Sequence, residues 1–214
     1  MRGKIFLAAL LSVLIFAATA SAEDEEWVCD YAFPATPVVK CVDQNGEFDH
    51  NIYYFSAGDN KCLVVVCHGS GNSSENYGTH MYGRYRHDYP NAVAESIAYW
   101  TQQGMMRNVG RFNYVFMSTC HSGYAQQSVT LPIYNVSLVR AIDYKGITGF
   151  SEEPYGNGQV LIKLYRVIPR NGIASRSSGA LSTFLQNNNV RGFRSIGTRS
   201  STKPKGVQIL AGEL

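Results

Sequence analysis

Two short stretches carry residue types that can do chemistry: Val64-Val65-Val66-Cys67-His68-Gly69 and, further along, Ser118-Thr119-Cys120-His121-Ser122-Gly123. A thiolate attacks a carbonyl best when a nearby imidazole takes its proton, and the oxyanion that forms needs backbone N–H donors, which small residues expose most readily. Cys120 is the candidate nucleophile and His68 its proton acceptor and donor. The backbone N–H groups of Gly69 and Cys120 are the candidate oxyanion donors. Ser118 and Ser122, on either side of Cys120, stand where a substrate pocket would be lined.

Order along the chain filters the mechanisms. The five histidines are His50, His68, His80, His87 and His121, so none follows residue 121. An α/β-hydrolase needs its base downstream of the nucleophile, and here both elbow glycines are replaced as well. The papain arrangement also puts histidine after cysteine and fails on the same ground. What survives is histidine first and cysteine 52 residues later.

The elements that must position these groups read as follows. Residues 51–55 form a short strand, and 61–67 an apolar, β-branched run that fits a strand buried on both faces. Residues 70–89 carry Gly, Ser, Asn and several tyrosines without periodicity and read as a long loop, a length usually reserved for function. Pro90 opens a helix over 91–103 with Val93, Ile97 and Trp100 on one stripe and Gly104 as its stop. Residues 112–117 are a second apolar strand. Further strands are expected at 138–142, 147–150, 159–168 and 207–210, with a helix at 179–187. Strand, loop, helix, strand is the grammar of an α/β fold with a largely parallel sheet flanked by helices, in a single domain. In such sheets reactive groups gather beyond the carboxyl ends of the strands, where His68 and Cys120 fall.

An apolar strand ending in His-Gly, followed by a second ending in Cys-His-Ser-Gly, resembles the caspase-like cysteine peptidases. The tetrad Cys120-His121-Ser122-Gly123 is most similar to metacaspases, whose relatives include clostripain-like, gingipain-like and legumain-like enzymes. The resemblance covers roughly residues 61–150. It implies a caspase-like sheet, a Cys120–His68 dyad and hydrolysis of peptide bonds in a peptide or protein substrate. Ser118-Thr119 stands where metacaspases carry an acidic residue, so a preference for Arg or Lys does not transfer, and one strand-helix unit before His68 is missing. Two alternatives stay open: a non-catalytic exported binding domain on the same scaffold, and a cysteine-dependent amidase or acyl transferase.

Composition frames these readings. Of 214 residues 45% are hydrophobic and 16% charged, too apolar for a disordered chain. Arg2 and Lys4, an apolar run over 5–18 and Ala20-Ser21-Ala22 form a signal-peptide pattern with cleavage after Ala22, which predicts a secreted or periplasmic protein without a membrane anchor in its mature form. Residues 23–153 hold 15 Asp/Glu and 8 Lys/Arg, whereas 154–214 hold 9 Lys/Arg against one Glu, with a basic tail over 190–214. The two parts can neutralise each other within one domain or present a basic surface; no nucleic-acid partner is expected.

Five cysteines in an exported chain leave at least one thiol unpaired. Cys29 and Cys41, in a disulfide-prone segment over 23–50 with Pro34 and Pro37, are the expected disulfide. Cys62 and Cys67 lie roughly 16 Å apart on one strand and cannot bridge each other. His80, His87 and Asp88 match no known zinc spacing, and there is no phosphate-cradling glycine loop and no Cys-x-x-Cys, so no metal and no cofactor are expected. Tyr77, Tyr82, Tyr85 and Tyr89, interleaved with Arg84 and Arg86, either stack on a ligand or cover the sheet edge.

Overall fold

The computed structural model describes residues 25–73, 75–82, 84–106, 109, 112–124, 129–131, 136–140, 146–170, 180–188 and 197–211. The leader pattern over 1–22 and, of the tail over 190–214, residues 190–196 and 212–214 therefore lie outside the described residues. Among the described residues no helix is long and apolar enough to cross a membrane.

The chain opens with β1 (Glu25–Val42), β2 (Phe48–Ala57) and β3 (Asn60–Ser70), three antiparallel strands in a row. Their connections dictate this. Asp43 turns the first corner by accepting the backbone N–H groups of Asn45 and Glu47, with Gly46 at φ +82°. Ala57 pairs with Asn60 across a two-residue loop that begins with Gly58 at φ +58°. A turn that tight can join only antiparallel neighbours.

A hairpin, β4 (Gly78–Met81) and β5 (Arg84–Arg86), follows and pairs back on the end of β3. The long loop expected over 70–89 thus carries two short strands. Helix α1 (Tyr89–Gln102) then crosses over to β6 (Tyr114–Ser118), which lies parallel to β3. After a 3-10 turn (Ser122–Tyr124) come β7 (Val129–Leu131) and β8 (Val136–Arg140), the latter parallel to β6. β9 (Thr148–Gly156) and β10 (Gln159–Pro169) make another hairpin, whose loop residues Asn157 and Gly158 both take positive φ, as a type I′ turn requires. Helix α2 (Ala180–Asn187), β11 (Thr198–Ser200) and β12 (Gln208–Ile209) complete the described elements.

The sheet runs β12-β9-β10-β1-β2-β3-β6-β8-β7 and curls into a half-barrel. This overturns the expected largely parallel, caspase-like sheet flanked by helices. Among the described strands parallel pairing is confined to β3, β6 and β8, with one isolated parallel bridge between Gly69 and Ala211; β1 pairs with β10 through its first half and with β2 through its second, antiparallel in both. The physical reason lies in the hairpin turns at 43–47, 58–59 and 157–158, which leave no room for crossover helices.

β1 also removes the expected Cys29–Cys41 disulfide. The two cysteines stand 12 residues apart on one strand, a separation of roughly 40 Å at about 3.3 Å per residue. All five cysteines are free thiols.

Two apolar clusters sit on opposite faces of β3. Cys62, Val64 and Val66 join Phe33, Phe116 and the α2 residues Leu181 and Leu185 on one side. Leu63, Val65 and Cys67 join Val93 and Ile97 of α1 on the other. All six of these β3 residues are fully buried, which is why the run lacks alternation. The acidic and basic parts of the chain meet in ion pairs, Arg166 with Asp30 at 3.1 Å and Arg199 with Glu26 at 3.2 Å, so the charge asymmetry is at least partly neutralised within the fold.

Candidate functional site

β3 and β6 run side by side, with Val66 in register with Ser118. His68 and Cys120 each lie two residues further on, at the carboxyl ends of adjacent parallel strands. Cys120 belongs to the same apolar cluster as Val64 and Val66, and alternation along β3 sends His68 to that same face. Its ring meets the edge of Phe48 at 5.2 Å between centroids. Between the two strand ends the approach is close: a Cβ on Gly69 would lie 2.3 Å from the Cys120 carbonyl oxygen and 2.8 Å from Thr119 Cβ. Only glycine fits there.

The His68 ring has one nitrogen committed and one without a partner. Nε2 lies 3.1 Å from the Phe48 carbonyl oxygen, which can only accept, so Nε2 carries a hydrogen. Nδ1 is buried with no hydrogen-bond partner among the described residues. The neutral ring therefore keeps a lone pair for a proton.

Cys120 is fully buried. Its sulfur accepts the Thr148 backbone N–H at 3.0 Å, and it also faces the Leu210 backbone N–H. Burial pushes the thiol above its ordinary range, and these amides, with the Thr148 hydroxyl, partly offset that by favouring the thiolate. No hydrogen bond joins His68 to Cys120. The backbone N–H of Gly69, an expected oxyanion donor, donates to the Leu210 carbonyl at 2.9 Å.

The surrounding residues divide. Ser118 is buried, and its hydroxyl has no partner among the described residues; Ser122 is buried in the 3-10 turn. His121 takes φ +58°, and its ring stacks on Tyr124. A left-handed residue there, tolerated by histidine better than by most, turns the chain sharply just after Cys120. His80 pairs with His68 across β3 and β4, ring centroids 6.2 Å apart. Asp88 accepts two hydrogen bonds from the Nε–Nη2 edge of the Arg86 guanidinium. Tyr77 is buried against the Thr119 hydroxyl at 2.6 Å, and Tyr82 hydrogen-bonds Ser96; the side chains of Tyr85 and Tyr89 lie outside the described residues. The described tyrosines serve packing and hydrogen bonding.

Sequence reasoning missed Thr148 and Leu210, which approach Cys120 only through tertiary pairing. It also missed a second cluster. Asp49 and His50 on β2 are both buried, with Asp49 Oδ2 2.5 Å from His50 Nδ1. The other ring nitrogen, Nε2, receives the Trp100 indole N–H at 3.0 Å and lies 3.1 Å from the Ser96 hydroxyl. An indole can only donate, so Nε2 is the acceptor, Nδ1 carries the hydrogen, and the Ser96 hydroxyl can only donate to the ring. Asp49 also accepts the Tyr82 backbone N–H at 2.9 Å, and Ser96 the Tyr82 hydroxyl at 3.0 Å.

Cys41, Asp49 and His50 present ligand atoms within 4.8 Å of one another. A cation on Nδ1 would move the ring hydrogen to Nε2, against the Trp100 N–H. The arrangement is that of an aspartate–histidine–serine relay in bond order, but it is closed on every side. It ties α1 and the β4–β5 hairpin to β2. The signal for it in the sequence is Asp49-His50 together with Ser96 and Trp100, four residues apart on one helix face.

Comparison of the chain with protein-family models, with curated proteins and with solved structures finds no match.

Proposed function

We propose that the protein is a cysteine hydrolase acting on peptide bonds, with Cys120 as nucleophile and His68 as general base and acid. The observation that carries this reading is the register of β3 and β6, which sets His68 and Cys120 on one face of two adjacent parallel strand ends with Gly69 against the Cys120 backbone. His68 Nδ1 takes the thiol proton as sulfur adds to the carbonyl carbon, and the carbonyl electrons move to an oxygen held by the Gly69 and Cys120 amides. Collapse expels the amine, which takes its proton from His68. Water, activated by the same nitrogen, then hydrolyses the thioester. Dyad distances are often loose before substrate arrives, which accommodates the absence of a sulfur–imidazole bond. The resemblance to caspase-like peptidases rests on this β3–α1–β6 unit. An exported setting, drawn from the leader pattern over 1–22, belongs to the same proposal.

One observation favours a second reading. The full burial of Cys120, which raises its thiol, fits a non-catalytic binding domain in which the sulfur only fills the core. Alkylation separates the two. With iodoacetamide at about pH 7, a reactive thiol labels as its thiolate, and the dyad requires Cys120 labelling to slow by about tenfold in His68→Ala. Equal rates in the two proteins, with Cys120 open to the reagent, overturn the dyad and leave the binding domain.

A further inference from the structure

The oxyanion donor of the proposed site is already in use, and the group that uses it is a peptide carbonyl. Gly69 N–H donates to the Leu210 oxygen at 2.9 Å, and Leu210 N–H donates to the Thr148 oxygen at 3.0 Å while also facing the Cys120 sulfur. The segment runs in extended conformation: Gln208 and Ile209 pair antiparallel with Phe150 and Gly149, and Ala211 bridges Gly69 in parallel. It is pressed close, since a Cβ on Gly149 would come within 2.7 Å of the Gln208 oxygen. The Leu210 side chain is fully buried in the cluster that holds Cys120. A peptide bound for hydrolysis would use the same contacts, an added strand for affinity and a pocket for one side chain.

We infer that residues 207–211 occupy the substrate position as an internal pseudosubstrate, an inference that rests on the proposed Cys120–His68 dyad. Two consequences follow. The site is latent while the segment is seated, and its substrate is an extended peptide with an aliphatic, leucine-like residue at the carbonyl to be attacked. Leu210 supplies both, with its oxygen on the Gly69 amide and its side chain buried in the apolar cluster that holds Cys120. The segment can be released without dismantling the sheet, because β12 is two residues long and is preceded by an exposed stretch that includes Lys203 and Lys205.

The test inserts a recognition sequence for a site-specific protease between Thr202 and Lys203 in the full chain. Cys120 alkylation and the hydrolysis of peptides differing only at the attacked residue (Leu, Arg or Asp) are measured before and after cutting and removal of the released piece. Release is expected to speed Cys120 labelling by on the order of tenfold, to favour the leucine peptide, and to be reversed by a synthetic peptide of residues 206–214. If the uncut protein already hydrolyses peptides in a Cys120- and His68-dependent way and cutting changes neither rate, the pseudosubstrate is wrong and the dyad stands. If labelling accelerates but arginine or aspartate peptides are preferred, the substrate half falls. Slow, His68-independent labelling in the cut and still folded protein sinks the dyad as well. Should circular dichroism show that cutting unfolds the chain, uncut Leu210→Ala replaces it, and unchanged Cys120 labelling there rejects the inference.

Discussion

Three described histidines stand near potential nucleophiles, His50, His68 and His121, and the first two are finished in opposite ways, while His121 shares with His68 a buried, unbonded Nδ1. At His50 both ring nitrogens are engaged, Nδ1 by Asp49 and Nε2 by Trp100 and Ser96, and the aspartate is further engaged by the Tyr82 amide. At His68 only Nε2 has a partner, and Nδ1 is buried and unbonded. The first cluster has the bond order of a catalytic relay and none of its freedom, because a base whose lone pair is filled by an indole N–H has no proton left to take. The second lacks a finished network and keeps a free lone pair at the end of a strand. Leaving a buried polar atom unbonded costs about 1–3 kcal/mol. Stability argues against keeping such an atom, so its presence on the strand adjacent to the one that ends at Cys120 is the more informative of the two arrangements.

Substitutions break this comparison at different magnitudes. The largest effect belongs to Cys120→Ala and His68→Ala, each expected to lower peptide hydrolysis, measured after release of the 207–211 segment, by a factor of about 1,000 or more. Thermal unfolding of the same variants should move little beside that loss. His50→Ala and Asp49→Asn reverse the pattern. Either one strands buried polar partners and should cost about 3 kcal/mol in urea unfolding, with hydrolysis per folded molecule retained. A hydrolytic loss in Asp49→Asn as deep as in His68→Ala would make the relay the reacting site.

Gly69→Ala joins both readouts. Its Cβ would fall 2.3 Å from the Cys120 carbonyl, an overlap expected to cost about 1–3 kcal/mol and to shift the thiol as well. The change is checked by unfolding together with Cys120 labelling.

Alkaline pH weakens the fold through thiols, with a definite sign. Burial pushes Cys29 up to about 11 and Cys62 up to about 12, and it raises Cys67 and Cys120 in the same direction. A thiol raised in the folded state holds its proton where the unfolded chain has lost it. The stability it contributes is therefore complete below the ordinary thiol range and declines as pH climbs from there toward the raised values. Each such thiol removes up to about 1.4 kcal/mol per pH unit in that window. Urea midpoints measured at neutral pH and at about pH 10 should show the decline, and Cys62→Ala should make it shallower. The smallest expected effect is Trp100→Phe, which removes one donor to His50 and costs about 1 kcal/mol, read by thermal unfolding without change in Cys120 labelling.

How much of this was legible in the sequence differs from element to element. The apolar runs around Val65 and Phe116 marked β3 and β6, because strands buried on both faces need every side chain apolar. Val93 and Ile97 marked α1 through their stripe. The fold class is written in the hairpin turns rather than in the apolar runs. Gly58-Asp59 and Asn157-Gly158 are two-residue loops that accept positive φ, and each commits its flanking strands to antiparallel pairing. The Cys29–Cys41 disulfide fails for a related reason: Pro34 and Pro37 between them suggest a closed loop, whereas the segment is one strand that pairs along its length with β10 and then β2.

By itself the sequence determined the local facts: which runs are apolar enough to be buried, where glycine is needed for a tight turn, and that histidine precedes cysteine across a strand-helix-strand unit. Only the tertiary structure decided which nitrogen of each histidine is occupied, that Thr148 and Leu210 face the Cys120 sulfur, and that Asp49, His50, Ser96 and Trp100 converge. Turn chemistry and apolar runs act within a few residues and are written in order along the chain. A hydrogen bond to a sulfur or a ring nitrogen depends on the register between strands far apart in sequence, and that register is set by the packing of the whole sheet.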